Sequence, residues 1–459
     1  MGALTNIRSA AFTLLLDLLL RSSRNKMLYA VALLEHLTAG FSGWRQHIEA
    51  LHTLLKSDHP LPVLLERLNN ELSPVCRKQL LSNLIVQAWL ASRDARRAFK
   101  KREGFFPPFT VSIAPTSRCN LKCHHCSASG QESTDLDAEL FVRILREARD
   151  EMGVHFFILT GGEPFVYEHI VDIVGMFPDC YFQFFTNGTL LDAGTVERLA
   201  ECGNALIMLS LEGFEEPTDT RRSNSVFRST VEAMQRLHDA GIPYGYSVMT
   251  TRRNSDIVTG ERFVEWALEN GCRLGYYFNY MPVGSKPDIS LLPTPAQRDR
   301  SRRNVYRWRN EKPIFLIDVL NDGPLTGGCT GAGRYYIHIL SSGDVVPCVY
   351  CNFSTDNIKT KSLTEALKSP YLTTFRKTIP FEGNALRCCI MLDRPRFFFR
   401  TLDIFHPTSY IPGEEASLRQ LKEGLLDYAQ QVKTIYDRAW KDDDWQSIVQ
   451  SIRWSIDNC

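Results

Sequence analysis

Cys119, Cys123 and Cys126 fall within SRCNLKCHHCSASG, the stretch from Ser117 to Gly130. Thiolates this close together can hold a zinc ion or an iron–sulfur cluster. A closed structural zinc site takes four ligands, and His124 or His125 would have to supply the fourth. A cubane cluster held by three thiolates instead leaves one iron open to a small molecule. Cys329, Cys348, Cys351, Cys388 and Cys389 form a second set late in the chain, with zinc and a cluster again the two readings. Cys76, Cys180, Cys202, Cys272 and Cys459 stand singly and read as plain thiols.

The bulk properties narrow the setting. The chain has 459 residues, enough for two or three structural units. Its net charge of +1 gives no electrostatic case for nucleic acid as a partner. Thirteen cysteines, an odd and clustered set, suit a cytosolic metalloprotein better than a disulfide scaffold, since the opening residues lack a basic start and a small-residue cleavage site. AAFTLLLDLLL is too short for a span, and Asp17 interrupts it. It reads as a packed helix of a small bundle, with an interfacial helix as the alternative.

The elements that must position the thiols follow from periodicity. Residues 1–105 read as an N-terminal helical domain ending in the basic run RDARRAFKKRE, a solvated helix end with membrane-surface contact as the lesser reading. Pro107 and Pro108 then break the helix. From Phe109, near-continuous apolar runs alternate with amphipathic helices: FTVSIAPT, VHFFILTGG, CYFQFFTNGT, ALIMLSLEG, IPYGYSVMTT and CRLGYYFNYMPVG. Six such units predict an α/β fold, a partial (β/α)6 TIM-like barrel over residues 106–320. Residues 321–405 read as a small α+β cysteine-rich extension with a hairpin at Ser342-Gly343, and residues 406–459 as a helical tail.

Cys119-x-x-x-Cys123-x-x-Cys126 after the first strand of a βα array resembles the radical S-adenosylmethionine (radical SAM) enzymes. The likeness extends to TGGEPF one unit later, FFTNGT after the third strand, LSLEG after the fourth, DTRRSNSVF beyond it and MPVG after the sixth. It spans roughly residues 109–395. It implies a [4Fe-4S] cluster on the three cysteines and S-adenosylmethionine on the open iron. Gly161, Gly162, Glu163 and Pro164 are then expected around the methionyl amino group. Thr186, Asn187, Ser210 and Glu212 are expected near the ribose, carboxylate and amino groups. Arg222, or its neighbour Arg221, is the expected cofactor-contacting arginine. Ser223 stands where relatives often have glycine. All these residues end strands, where barrel active sites are built.

The later cysteines resemble the auxiliary-cluster extensions called SPASM or twitch domains, through GDVVPC and a distal cysteine. Relatives read LRPCP where this chain has Leu386-Arg387-Cys388-Cys389-Ile390, so Cys389 takes the family position. The implied ligands of a second cluster are Cys329, Cys348 and Cys389, with Cys351 or Cys388 as alternatives for a fourth. Three ligands would leave an open iron for substrate; four would favour electron transfer. The resemblance implies reductive cleavage to a 5′-deoxyadenosyl radical that abstracts hydrogen from a substrate the sequence does not name. An apolar or membrane-associated substrate is the leading expectation, and peptide or protein maturation the alternative. A non-catalytic iron–sulfur or zinc-binding protein is the alternative of another class. The expected electron donor is a flavodoxin or ferredoxin. The expected location is cytoplasmic, with peripheral contact at the inner membrane face kept as an alternative.

Overall fold

The computed structural model describes residues 51–379 and 383–442, with a few residues between Thr13 and Glu49. AAFTLLLDLLL, apart from Thr13, Leu16 and Asp17, lies outside the described residues, as does the tail beyond Asp442.

The six expected strands are present: β1 (Thr110–Thr116), β2 (Phe156–Gly161), β3 (Tyr181–Thr186), β4 (Ala205–Leu211), β5 (Tyr244–Thr250) and β6 (Leu274–Asn279). A seventh, β7 (Phe315–Asp318), follows the helix Pro295–Glu311 and extends the parallel order; its four residues are too few to carry a periodic signal. The expected hairpin is β8 (Tyr336–Ile339) and β9 (Asp344–Val346), turning at Gly343 with φ +88°. It is not a separate sheet. β8 pairs in parallel with β1, Thr110 opposite Tyr336 through Ile113 opposite Ile339, so the barrel wall continues into the extension. The short strands β10 (Phe353–Ser354), β11 (Asp356–Asn357) and β12 (Thr408–Ser409) complete it. The sheet runs β11-β9-β8-β1-β2-β3-β4-β5-β6-β7, with β10 and β12 paired apart.

Alternate side chains divide between two cores. Val111, Ile113, Phe157, Leu159, Phe182, Phe184, Ile207 and Leu209 pack under the crossover helices with Phe141, Ile144, Leu199 and Leu237. Phe156, Tyr181, Leu206 and Met208 face the other way, against Ala88. Strands β3 and β6 are three positions apart, roughly 14 Å in a flat sheet. Yet Phe185 meets Tyr276 at 5.3 Å and Phe278 at 5.5 Å between ring centroids. The sheet is therefore curled, and these rings fill its interior.

A π-wound helix, Leu80–Ala91, closes one end of the barrel. Asn83 Nδ2 donates to Pro178 O at 2.8 Å and Cys180 O at 3.0 Å, just before β3. Gln87 meets His155, just before β2, at 3.2 Å. These contacts lie at the amino ends of the strands, opposite the cysteine loop. In the basic run, Arg96 stacks on Phe109 and Lys100 on Phe106. The aromatic stretch RPRFFFRTLDIF becomes the helix Pro395–Phe405, whose Phe398, Phe399 and Leu402 are buried in the extension. Among the described residues no helix is long and apolar enough to cross a membrane.

Candidate metal centres and cofactor site

The cysteine loop leaves the end of β1 and is tied down at several points. Ser117 N donates to Thr134 O at 2.9 Å, and the Arg118 guanidinium pairs with Asp135. Gly162 N reaches Thr116 O at 3.0 Å and Glu163 N reaches Arg118 O at 2.9 Å, so the end of β2 is stitched to the loop. Both glycines are required by this approach. Gly161 has φ +121°, and a Cβ on Gly162 would lie 2.1 Å from Arg118 O. On the far side, His124 N donates to Arg221 O at 2.9 Å. His125 turns its Nδ1 to Lys286 O at 3.3 Å and its ring edge to Tyr280.

Beneath the loop lies a polar network. Glu163 is buried, and its carboxylate accepts from Thr186 Oγ1 at 2.7 Å, Asn187 N at 2.8 Å and Phe165 N at 3.3 Å. Burial pushes this carboxyl up to about 7 against the lowering effect of those donors. Both oxygens are thus engaged in joining the ends of β2 and β3, a bracing role that the motif alone did not disclose. Asn187 Nδ2 donates to Asn120 Oδ1 at 2.9 Å, and Asn120 Nδ2 to Thr189 Oγ1 at 2.7 Å. Asn120 is therefore a site residue that sequence reasoning missed; its only signal was a position inside the cysteine loop. Pro164 is buried and opens the short 3₁₀ turn Pro164–Val166.

Glu212, just beyond β4, collects both arginines. Arg221 pairs with its Oε1, and Arg222 Nη2 lies 2.7 Å from the same atom. Oε2 is buried without a hydrogen-bond partner among the described residues. Ser210 lies one turn of the pleat deeper, 3.5 Å from Ser247 on β5. Ser223, the departure from glycine, sits at φ +140°, a backbone that favours glycine; Asp219 accepts from Ser225 N and Phe227 N and holds the turn. The expected cysteines, Gly161, Gly162, Glu163, Pro164, Thr186, Asn187, Glu212 and Arg222 all gather at the carboxyl edge of the sheet.

Donor spacing tells against a preassembled single-ion site at this loop. Among the described residues, the sulfurs of Cys119, Cys123 and Cys126 do not all lie within 4.8 Å of one another or of a histidine, as one zinc ion would require. Three thiols as the donor set suit a cubane with one iron left open. Among the described residues the compact group that does form, His155, Asp179 and Cys180, is at the opposite end of the barrel, with Asp179 already paired to Arg149. Desolvation pushes the Cys119 thiol up to about 11; Cys123 is also raised by burial, against the pull of Arg222 and Arg221.

The second set lines a single apolar cavity of about 80 Å³, into which Cys329, Cys348, Cys351, Cys388 and Cys389 all open. Burial raises Cys329 and Cys348 to about 11 and Cys389 to about 12. Thiolates in such a site need a metal's positive charge, which iron supplies. Asn279, on the rim, has a buried Nδ2 with no partner. Behind the cavity, Cys389 N donates to Asp393 Oδ2 at 3.0 Å, and the fully buried Arg298 pairs with Asp393 at 2.6 Å.

Comparison with known proteins agrees with this chemistry. Residues 113–264 match the radical SAM superfamily and residues 329–390 an iron-sulfur cluster-binding domain, SPASM. The AdoMet-dependent heme synthase of Methanosarcina barkeri is 27% identical over 289 residues, covering 56% of this chain and 81% of that protein. The PqqA peptide cyclase of Gluconobacter oxydans is 26% identical over 290 residues, covering 59% and 80%. The fold is like that of Streptococcus suis SuiB bound to S-adenosylmethionine, with a TM-score of 0.55 and 20% identity over 64% of this chain and 75% of that one. The chain thus carries a radical SAM domain over residues 113–264 and a SPASM domain over residues 329–390, and these two domains imply an enzyme that uses S-adenosylmethionine and [4Fe-4S] clusters.

Proposed function

We propose that Cys119, Cys123 and Cys126 hold the cofactor-cleaving cluster, and that Cys329, Cys348 and Cys389 hold a second one. The observation that carries this reading is the placement of the three-cysteine loop on the carboxyl edge of the sheet, stitched to Gly162, Glu163, Asn187 and Arg221. When bound, the cluster and S-adenosylmethionine supply a 5′-deoxyadenosyl radical by one-electron reductive cleavage of the sulfonium, and this radical takes a hydrogen atom from substrate. The chain's own residues bind, orient and exclude water. Gly161 and Gly162 let the backbone approach the cofactor closely. Arg221 and Arg222 hold Glu212 through Oε1, which leaves its buried Oε2 as an acceptor for the cofactor's hydroxyl or amino groups. Glu163, Thr186 and Asn187 keep the strand ends in register around it.

The substrate presents an apolar or aromatic group. Phe185, Tyr276 and Phe278 line the barrel interior, and Tyr350 of the extension stacks edge-on against Phe278 at 6.3 Å. Peptide maturation is the second reading, favoured by the likeness to a peptide cyclase; a hydrophobic side chain would satisfy both. A flavodoxin or ferredoxin delivers the electron in the cytoplasm. Peripheral membrane contact is the lesser proposal: the helix Leu80–Ala91 packs Leu80, Leu84 and Ala88 on the barrel floor and leaves Ile85 and Trp89 exposed.

The test is anaerobic reconstitution with iron and sulfide, then S-adenosylmethionine and dithionite. The expected outcome is 5′-deoxyadenosine from the parent protein. Cys123→Ala is expected to form none while retaining the second cluster's iron and absorbance. A parent protein that leaves the cofactor intact under strong reductant would overturn the reading.

A further inference from the structure

We infer that Cys351 is the fourth thiolate of the auxiliary site and that Cys388 is a spectator thiol, which closes the site to substrate. The inference rests on the proposal that this cavity holds a cluster. A metal-bound sulfur is a thiolate and can only accept hydrogen bonds, whereas a free thiol can donate one. The five cysteines divide by that criterion. Cys329 Sγ accepts from the amide of Gly331, two residues on. Cys348 Sγ accepts from the amides of Tyr350 and Cys351. Cys389 Sγ accepts from Leu392 N at 3.4 Å. Cys351 Sγ accepts in the same way from the amide of Phe353, and the Tyr371 hydroxyl lies 3.7 Å from it. Cys119 repeats the pattern at the first site, accepting from Leu121 N at 3.4 Å. Cys388 is the exception: its Sγ donates to Leu320 O at 3.3 Å.

Backbone geometry points the same way. Cys348 and Cys351 face each other across an isolated antiparallel bridge, closed by Cys351 N to Cys348 O at 3.0 Å. Residues directly opposite in an antiparallel pair send their side chains to the same side. Both line the cavity, so the turn Cys348-Val349-Tyr350-Cys351 presents two sulfurs together. Cys388 and Cys389 are adjacent and both line the cavity, but the Cys388 thiol is engaged by the Leu320 carbonyl. Cys389 is the one whose backbone is fixed, through Asp393. Four thiolates from Cys329, Cys348, Cys351 and Cys389 give each iron of a cubane a protein ligand, so substrate does not bind this cluster through iron.

The test uses the full chain with Cys119, Cys123 and Cys126 all changed to alanine, which isolates the auxiliary site. Imidazole serves as a probe for an open iron. The isolated site is expected to give a reduced-state EPR spectrum that imidazole leaves unchanged. Adding Cys351→Ala is expected to leave one iron without a thiolate, which either binds imidazole and shifts the spectrum or is lost, at about one iron in four. Adding Cys388→Ala is expected to do neither. Should Cys351→Ala hold no cluster, Cys351→Ser replaces sulfur by oxygen and is expected to shift the spectrum. The inference is overturned if the isolated site already responds to imidazole, if Cys388→Ala is the change that opens it, or if Cys351→Ser leaves the spectrum in place. Full iron retention by an added Cys329→Ala, with a spectrum that is unchanged and does not respond to imidazole, overturns the underlying cluster proposal, a result distinct from all of these.

Discussion

At the scale of single residues, the site depends on atoms that have no room to move. Gly162 is the sharpest case, because any side chain there meets the Arg118 carbonyl at 2.1 Å. Gly162→Ala is expected to push the cysteine loop off the end of β2. Iron at the first site and 5′-deoxyadenosine formation should fall together, by at least tenfold, while auxiliary absorbance persists. Arg298 and Asp393 are both fully buried and paired. Removing one partner of such a pair strands a charge and costs about 3–5 kcal/mol, whereas replacing both by apolar residues costs far less. Arg298→Met should therefore lower the urea midpoint strongly, and Arg298→Met with Asp393→Leu should restore much of it. Asp393 also holds the Cys389 amide, so the double variant should remain weaker in auxiliary iron than in stability.

At the scale of elements, the strand pairing that joins barrel and extension is the parallel one of β1 with β8. His338 on β8 meets Ser112 Oγ on β1 at 2.9 Å inside that seam, and burial lowers the imidazole to about 4. The unfolded chain takes up this proton near pH 6.5, well before the folded one does. Stability from this residue is thus fully present above pH 6.5 and is lost as pH falls towards 4, about 3 kcal/mol in all. Urea titrations of the metal-free protein from pH 7 to 4 should show this loss, and His338→Gln should flatten it by about that amount.

At the scale of the whole molecule, Glu414 links the two cysteine regions. Its carboxylate is buried and accepts from Gly284 N at 2.9 Å, Asn352 Nδ2 at 2.7 Å and Ser409 Oγ at 2.5 Å. Gly284 packs against Cys126 O, and Asn352 follows Cys351 directly, so one side chain spans from the first loop to the second cavity. Glu414→Ala leaves three donors unpaired and should cost about 2–4 kcal/mol. Glu414→Gln can still accept from the first two and donate to the serine, and should cost less than half as much. EPR of the two reduced clusters should show their magnetic interaction weakened in the alanine variant and kept in the glutamine variant.

The sequence by itself determined the strand–helix alternation and the chemistry of the first loop. Periodicity writes buried strands as apolar runs, and three thiols within eight residues declare a metal wherever they fold. It also marked the later cysteines and the hairpin at Gly343. Tertiary structure alone decided the rest. β7 is four residues long and is a strand only because β6 lies beside it. β8 joins the barrel because β1 has a free edge, a fact of sheet closure that no local pattern carries. The helix Leu80–Ala91 is legible as a helix, but its place on the barrel floor follows from Asn83 finding two carbonyls nearly a hundred residues on. The roles of Asn120, Glu163 and Glu414 are hydrogen bonds between distant segments, and so is the distinction between Cys351 and Cys388. Local sequence fixes which groups are present; which of them face one another is set by long-range packing.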